Sequence, residues 1–395
     1  MLPNEALSNF IYPNDAHVLW SLMIVIYPYI TGLLVGAFVV SSFHHVFRIK
    51  EFESVSRFAL VVALCFGLFA ALPLLVHLGQ PQRAFNIFFT PHLTSAMSIF
   101  GYVYSGCMLL LILELWLAYR PYFVQRAAES TGLARLTWWA LMLGVPCNSS
   151  ASRRVDERLV IFLSAVGIPG AFLLSGYEGF IFGSIKGNGW WASALKPVTF
   201  SLSALVSGMA MLLLMYCFTL WRRKQACNYP MLRKLAGFIW GALIINLVLD
   251  LLEVLFAAYE HGYHWAVVKP LLSGPLFDSY VVWQVLILSV IPLLLLGFAV
   301  VGNVRDRTLS VLANLSALLL VTQVLLVRFN EVVGGQMISK SGRGFTDFEF
   351  EWLAREGIVP AAVILVAPFM VYFILGKLIP ILDREPPPGV QKYVP

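Results

Sequence analysis

Several ionisable side chains stand inside or at the ends of long apolar runs, where each marks either a functional site or a paired structural charge because charge in hydrocarbon is costly. Toward one face lie His17, His77, Gln80, Arg83, Tyr177, Glu178, Lys196 and Glu260; deeper or toward the other face lie Glu114, Asp250 and Glu253. The first group, an outer cluster of His, Tyr, Glu, Arg and Lys among aromatics, offers hydrogen-bond partners for the two carbonyls of a quinone and groups able to exchange its two protons. That chemistry needs a pocket open to lipid. The structural alternative is that Arg83 and Lys196 are interfacial anchors and Glu178 pairs with one of them. Asp250 and Glu253, three residues apart, share one helix face. Glu114 either meets them or leads toward the cytoplasm, so the three acids are read as a proton path or as static ion pairs.

Other redox devices are poorly supplied. A transmembrane haem needs His residues on different helices at matching depth, whereas His44 and His45 fall at one end of the first run and His17, His77, His92, His261 and His264 at the opposite face. Cys65, Cys107, Cys147, Cys217 and Cys227 contain no CxxC or CxxCH. No haem, iron–sulfur cluster or metal of its own is therefore expected, and any redox group is an exchangeable menaquinone or ubiquinone.

The elements that must hold these residues are membrane helices. Of 395 residues, 59% are apolar and 12% charged, and the mean hydropathy is +0.80, which excludes an ordinary water-soluble domain. A span needs about 20 apolar residues, and runs of that length fall near 18–46, 57–79, 95–119, 158–184, 195–221, 235–260, 277–301, 308–327 and 356–382. The fold class is thus an all-α integral membrane protein of about nine transmembrane helices. The stretch 133–147 is apolar but short and reads as an interfacial helix.

Lys and Arg alternate between loops as the positive-inside rule requires, 19 on one side and 8 on the other. The N-terminus is expected outside, the C-terminus cytoplasmic, and the chain in the inner (cytoplasmic) membrane. Scattered this way, the net charge of +6 signals topology rather than nucleic-acid binding. Met1 to His17 carries Glu5 and Asp15 and no Lys or Arg, so no cleaved signal peptide is expected. The longest connections, 120–157 and 328–355, leave no room for a soluble catalytic domain. The proline-rich tail 383–395 reads as an extended end.

The block HLGQPQRAFNIFFTPHLTSAMSIFG at 77–101 closely resembles the signature of the polysulfide reductase membrane subunit family, often called NrfD-type. YPYITGLLVG in the first helix, SGYEG at 175–179 ahead of WWASALKPVTFSLSALVSG, and a last helix ending LIPIL agree with it, the last feature being similar to the hydrogenase-type branch. The resemblance implies two packed bundles, here about 17–184 and 195–382 including the last helix. It also implies no bound haem and a quinone site near the outer face of the first bundle, with His17, His77, Arg83 and Tyr177 involved and Glu178 nearby. A ferredoxin-like iron–sulfur subunit would dock over that site and link it to a molybdopterin, hydrogenase or multihaem cytochrome partner. Glu114 and Glu253 match acidic positions associated with a proton route in the hydrogenase-type branch. The ninth helix departs from the family minimum of eight.

Two other functions compete. A secondary transporter would use helices broken at residues such as Pro28, Pro73, Pro169 or Pro292, although no internal repeat is evident. A structural anchor without quinone chemistry would leave the outer cluster without a task. Gly32 and Gly36, and Gly179 and Gly183, are expected as close helix-packing contacts.

Overall fold

A computed structural model describes residues 18–302, 304–339 and 344–382. His17 and the tail 383–395 lie outside the described residues. Among the described residues the chain forms nine helices long and apolar enough to span a membrane. They are α1 Leu22–His45, α2 Lys50–His77, α3 Ala96–Glu129, α4 Ser150–Gly183, α5 Lys196–Arg223, α6 Tyr229–Glu260, α7 Phe277–Val301, α8 Asp306–Met337 and α9 Ile358–Leu378. A helix satisfies every backbone polar group internally, the condition for burial in lipid.

Helix starts follow their capping residues. Ser21, Ser95, Ser149 and Asn228 accept backbone N–H bonds from Met23, Ser98, Ser152 and Met231 at the heads of α1, α3, α4 and α6. α1 and α4 run unbroken through Pro28 and Pro169. Pro73 and Pro292 instead begin helical segments within α2 and α7, where a missing N–H costs nothing. The short stretch after α3 forms the helix Gly132–Leu141, which is largely exposed.

α1 is the axis of the molecule, its whole apolar window buried. It packs against α2, α4 and α5, while α5 also packs against α4, α6 and α8. Glycines make this possible: a Cβ added at Gly36 would lie 2.6 Å from the Gly208 Cα, and one at Gly208 would lie 2.5 Å from the Gly36 Cα. Without side chains the two backbones touch, the usual way membrane helices gain packing contact. α9 lies against α2 and α1, so the last helix leans on the first half of the chain.

Several boundaries differ from the sequence reading: α3 runs to Glu129 rather than 119, α4 begins at Ser150 rather than 158, α6 at Tyr229 rather than 235, and α9 ends at Leu378 rather than 382. The eighth span was expected to end at 327, but α8 continues to Met337 through a π-type segment, Asn330–Gly334. Arg328, Asn330 and Glu331 lower the local hydropathy, which is why the run reads as a loop. Each is 6% exposed or less, with internal partners described below.

Candidate functional site

Four helices bring one ionic cluster together. Lys196 opens α5, and its Nζ lies 3.0 Å from Glu331 Oε2 on α8 and 3.5 Å from Glu253 Oε1 on α6. The same ammonium stands 5.7 Å from the Trp190 ring centroid. One turn before Glu253, Asp250 accepts a bond from Asn246 Nδ2 at 2.9 Å. Asn330 Nδ2 reaches Gln284 Oε1 on α7 at 2.8 Å, and Trp191 Nε1 donates to the Glu331 carbonyl at 2.6 Å. The π-type turn at Asn330–Gly334 carries Asn330 and Glu331 into this contact, and such turns inside helices recur at functional sites.

Arg328, 1% exposed, lies with its guanidinium 3.8 Å from the Phe200 ring centroid. It donates to Ser203 Oγ at 2.7 Å and to the Phe200 carbonyl at 3.3 Å. These groups surround a cavity of about 440 Å³ between α5, α6, α7 and α8. Trp190, Phe200, Phe256 and Tyr280 supply aromatic walls; Lys196, Asp250, Glu253, Arg328 and Glu331 supply the charge inside, with Glu260 exposed at the rim. An apolar wall with a few convergent polar groups is the ordinary anatomy of a small-molecule site.

The sequence-predicted residues distribute over several places. Asp250 and Glu253 line this cavity together. Glu178 is fully buried on α4 beside the Thr31 hydroxyl of α1, which also donates to the Tyr27 carbonyl. Arg328 acts electrostatically on it, so Glu178 belongs to the same interior charge system. The alternative pairing of Glu178 with Arg83 or Lys196 does not form among the described residues; Lys196 takes Glu331 and Glu253. Tyr177, next in sequence, is half-buried with its ring 5.4 Å from Phe180, and Arg83 is exposed. His77 Nδ1 lies 2.8 Å from Glu356 Oε2, an oxygen that also accepts from the Ser21 hydroxyl. Glu114 is separate: on α3 it accepts from Ser164 Oγ of α4 at 2.6 Å, while α6 packs against α5, α7 and α8.

Reading the sequence alone missed Arg328, Asn330, Glu331, Gln284, Tyr280 and Glu356. The available signal was Arg328 and Glu331 at helical i, i+3 spacing directly after an apolar run, which suits a continued helix as well as a loop.

Nine apolar helices among the described residues, four of which enclose an ionic cavity, define a multi-pass membrane protein with a buried polar site. The chain belongs to the polysulphide reductase NrfD family, whose model matches residues 12–340. It is 28% identical over 385 residues to the C subunit of the selenate reductase of Mesobacillus selenatarsenatis, covering 93% of this chain and 87% of that one. It is 29% identical over 296 residues to a Halobacterium salinarum protein provisionally named as the membrane C subunit of a dimethyl sulfoxide reductase, covering 73% of this chain and 63% of that one. The Hdr-like menaquinol oxidoreductase integral membrane subunit of Archaeoglobus fulgidus is 23% identical over 250 residues, 63% of this chain and 54% of its own.

Proposed function

We propose that this chain is the membrane subunit of a reductase complex that exchanges electrons between a membrane quinone and an iron–sulfur partner subunit. The observation that carries the reading is the cavity with aromatic walls and Lys196, Glu253 and Glu331 converging inside it. A quinone ring fits between aromatic faces, and its carbonyl oxygens take hydrogen bonds from a fixed ammonium. Reduction of a quinone to a quinol consumes two electrons and two protons. The electrons come from the partner, and this chain supplies the protons. Asp250, Glu253, Glu331 and Glu178 face two cations, Lys196 and Arg328, so full ionisation would leave two uncompensated negative charges in a low-dielectric interior. The cluster is suited to holding protons and passing them to the cavity. The relatives support the coarse reading, since each is named as a subunit of a reductase or oxidoreductase.

A second position for the ring lies at the outer end of the first bundle, beside His77 and Tyr177. The His77–Glu356–Ser21 link favours it, because it fixes an imidazole where α1 begins and α2 ends.

Titration of the detergent-purified protein with a fluorescent quinol analogue tests both. Saturable quenching weakened by Lys196→Met and Tyr280→Phe assigns the ring to the cavity. Weakening by His77→Ala and Tyr177→Phe alone assigns it to the second position. Absence of saturable binding in folded protein rejects quinone chemistry and leaves transport or plain anchoring.

A further inference from the structure

Away from the ionic cavity, a groove of about 800 Å³ runs between α5, α8 and α9. Met211, Leu214, Phe218, Leu318 and Phe369 make its walls apolar. Phe218, Leu318 and Phe373 are 46%, 55% and 38% exposed, so within a bilayer this groove faces acyl chains. Along α5 it extends from Met211 to Trp221, ten residues or about 15 Å of helix, the depth of one leaflet's hydrocarbon.

At its lower end the groove continues into a second pocket that shares Phe218, Tyr372 and Phe373 with it and adds Arg222, Arg223 and Lys377. These three cations are exposed, and none enters an ion pair among the described residues. The Arg222 guanidinium stands 5.0 Å from the Phe373 ring centroid, which holds one positive charge against the groove's base. A bond of 2.6 Å between Thr219 and Tyr372 ties α5 to α9 behind it. The two features meet at the end of α5, where its apolar run gives way to Trp221, Arg222 and Arg223. An apolar channel one leaflet deep, ending in three cations without an ion partner among the described residues, is complementary to a molecule with apolar tails and an anionic head.

We propose that this groove is a binding site for an anionic phospholipid, its acyl chains between α5, α8 and α9 and its phosphate on Arg222, Arg223 and Lys377. The assignment is independent of where quinone binds, because none of these residues touches the ionic cavity.

Native mass spectrometry of the full chain, exchanged into detergent with phosphatidylglycerol or phosphatidylethanolamine, tests it. Wild type should retain phosphatidylglycerol preferentially. The triple variant Arg222→Gln, Arg223→Gln, Lys377→Gln should lower that retention on the order of a hundredfold, from three surface cations lost together. Leu318→Trp, which fills the groove and leaves the cations, should lower it as well. Retention unchanged by Leu318→Trp means the cations hold a free anion or a lipid elsewhere, and overturns the proposal. Equal retention of both lipids by wild type overturns it too. A readout that does not depend on the charge variants is quenching by brominated-chain lipids of the fluorescence lost in Trp221→Phe. Brominated phosphatidylglycerol should quench this component at a lower mole fraction than brominated phosphatidylethanolamine, and equal quenching would refute the site.

Discussion

Lys196, the first residue of α5, and Glu331, in the π-type turn of α8, are 135 positions apart in the chain and meet at 3.0 Å with both side chains less than 10% exposed. The pair fixes the top of α5 against α8 and places an ammonium inside the cavity between α5, α6, α7 and α8.

Breaking one partner of a buried pair strands the other charge, which costs about 3–5 kcal/mol. Lys196→Met and Glu331→Gln should each lower the Tm of the detergent-purified protein clearly. The double variant should recover part of the loss, since one stranded carboxylate is removed while Glu253 still lacks its ammonium partner. Quinol-analogue affinity should fall on the order of tenfold in Lys196→Met and stay low in the double variant, the scale of one lost charge-assisted hydrogen bond. A double variant that regains binding would remove Lys196 from the site.

The α1–α5 crossing tolerates no Cβ. Gly36→Val or Gly208→Val forces the backbones apart, because the added Cβ would lie under 3 Å from the opposite backbone, and overpacking of this kind costs roughly 1–3 kcal/mol or more. Both variants should show reduced yield of monodisperse protein on gel filtration. Gly241→Ala, where an added Cβ meets nothing within 4 Å, should be neutral or stabilising by up to about 1 kcal/mol.

His77 and Ser21 share one carboxyl oxygen of Glu356. Deleting either His77 or Glu356 removes the same contact, so their effects on Tm should be non-additive in a double-mutant cycle, with coupling of about 0.5–3 kcal/mol. Strict additivity would mean that the contact contributes nothing.

Glu114 pairs with Ser164 between α3 and α4, away from the cavity. Glu114→Gln should leave quinol-analogue affinity within about twofold of wild type, as expected for sites with no shared partner. If binding falls in parallel with Asp250→Asn, Glu114 belongs to the cavity's proton system after all.

Cys147 is the exposed thiol among the five, on the loop between α3 and α4 at the Arg-rich face. Its Sγ lies 3.5 Å from Ser149 Oγ, and that hydrogen bond holds the thiol below its ordinary pKa. A lowered pKa leaves more thiolate at neutral pH, so labelling there should be faster than for a free cysteine. A membrane-impermeant maleimide should label it in inverted vesicles and not in right-side-out ones. The opposite pattern would invert the expected topology, and Ser149→Ala should slow labelling at pH 7.

The number and order of the membrane helices were legible from sequence, because an apolar run of about 20 residues has one stable solution in lipid, a helix that satisfies its own backbone. The stretch 77–101 was specific enough to indicate the family. Gly36 was legible as a packing residue, though its partner Gly208 was not. Tertiary structure alone decided how the charges pair. Tyr177 and Glu178 are neighbours in sequence, yet one meets the half-exposed rim and the other the closed interior, because adjacent helical residues point about 100° apart. α8 outlasted its apolar run because Arg328 and Glu331 find counter-charges and hydrogen bonds on α4, α5 and α6. No local signal announces a partner on another helix; it exists only once glycine crossings such as Gly36 on Gly208 have set which helices touch and at what height.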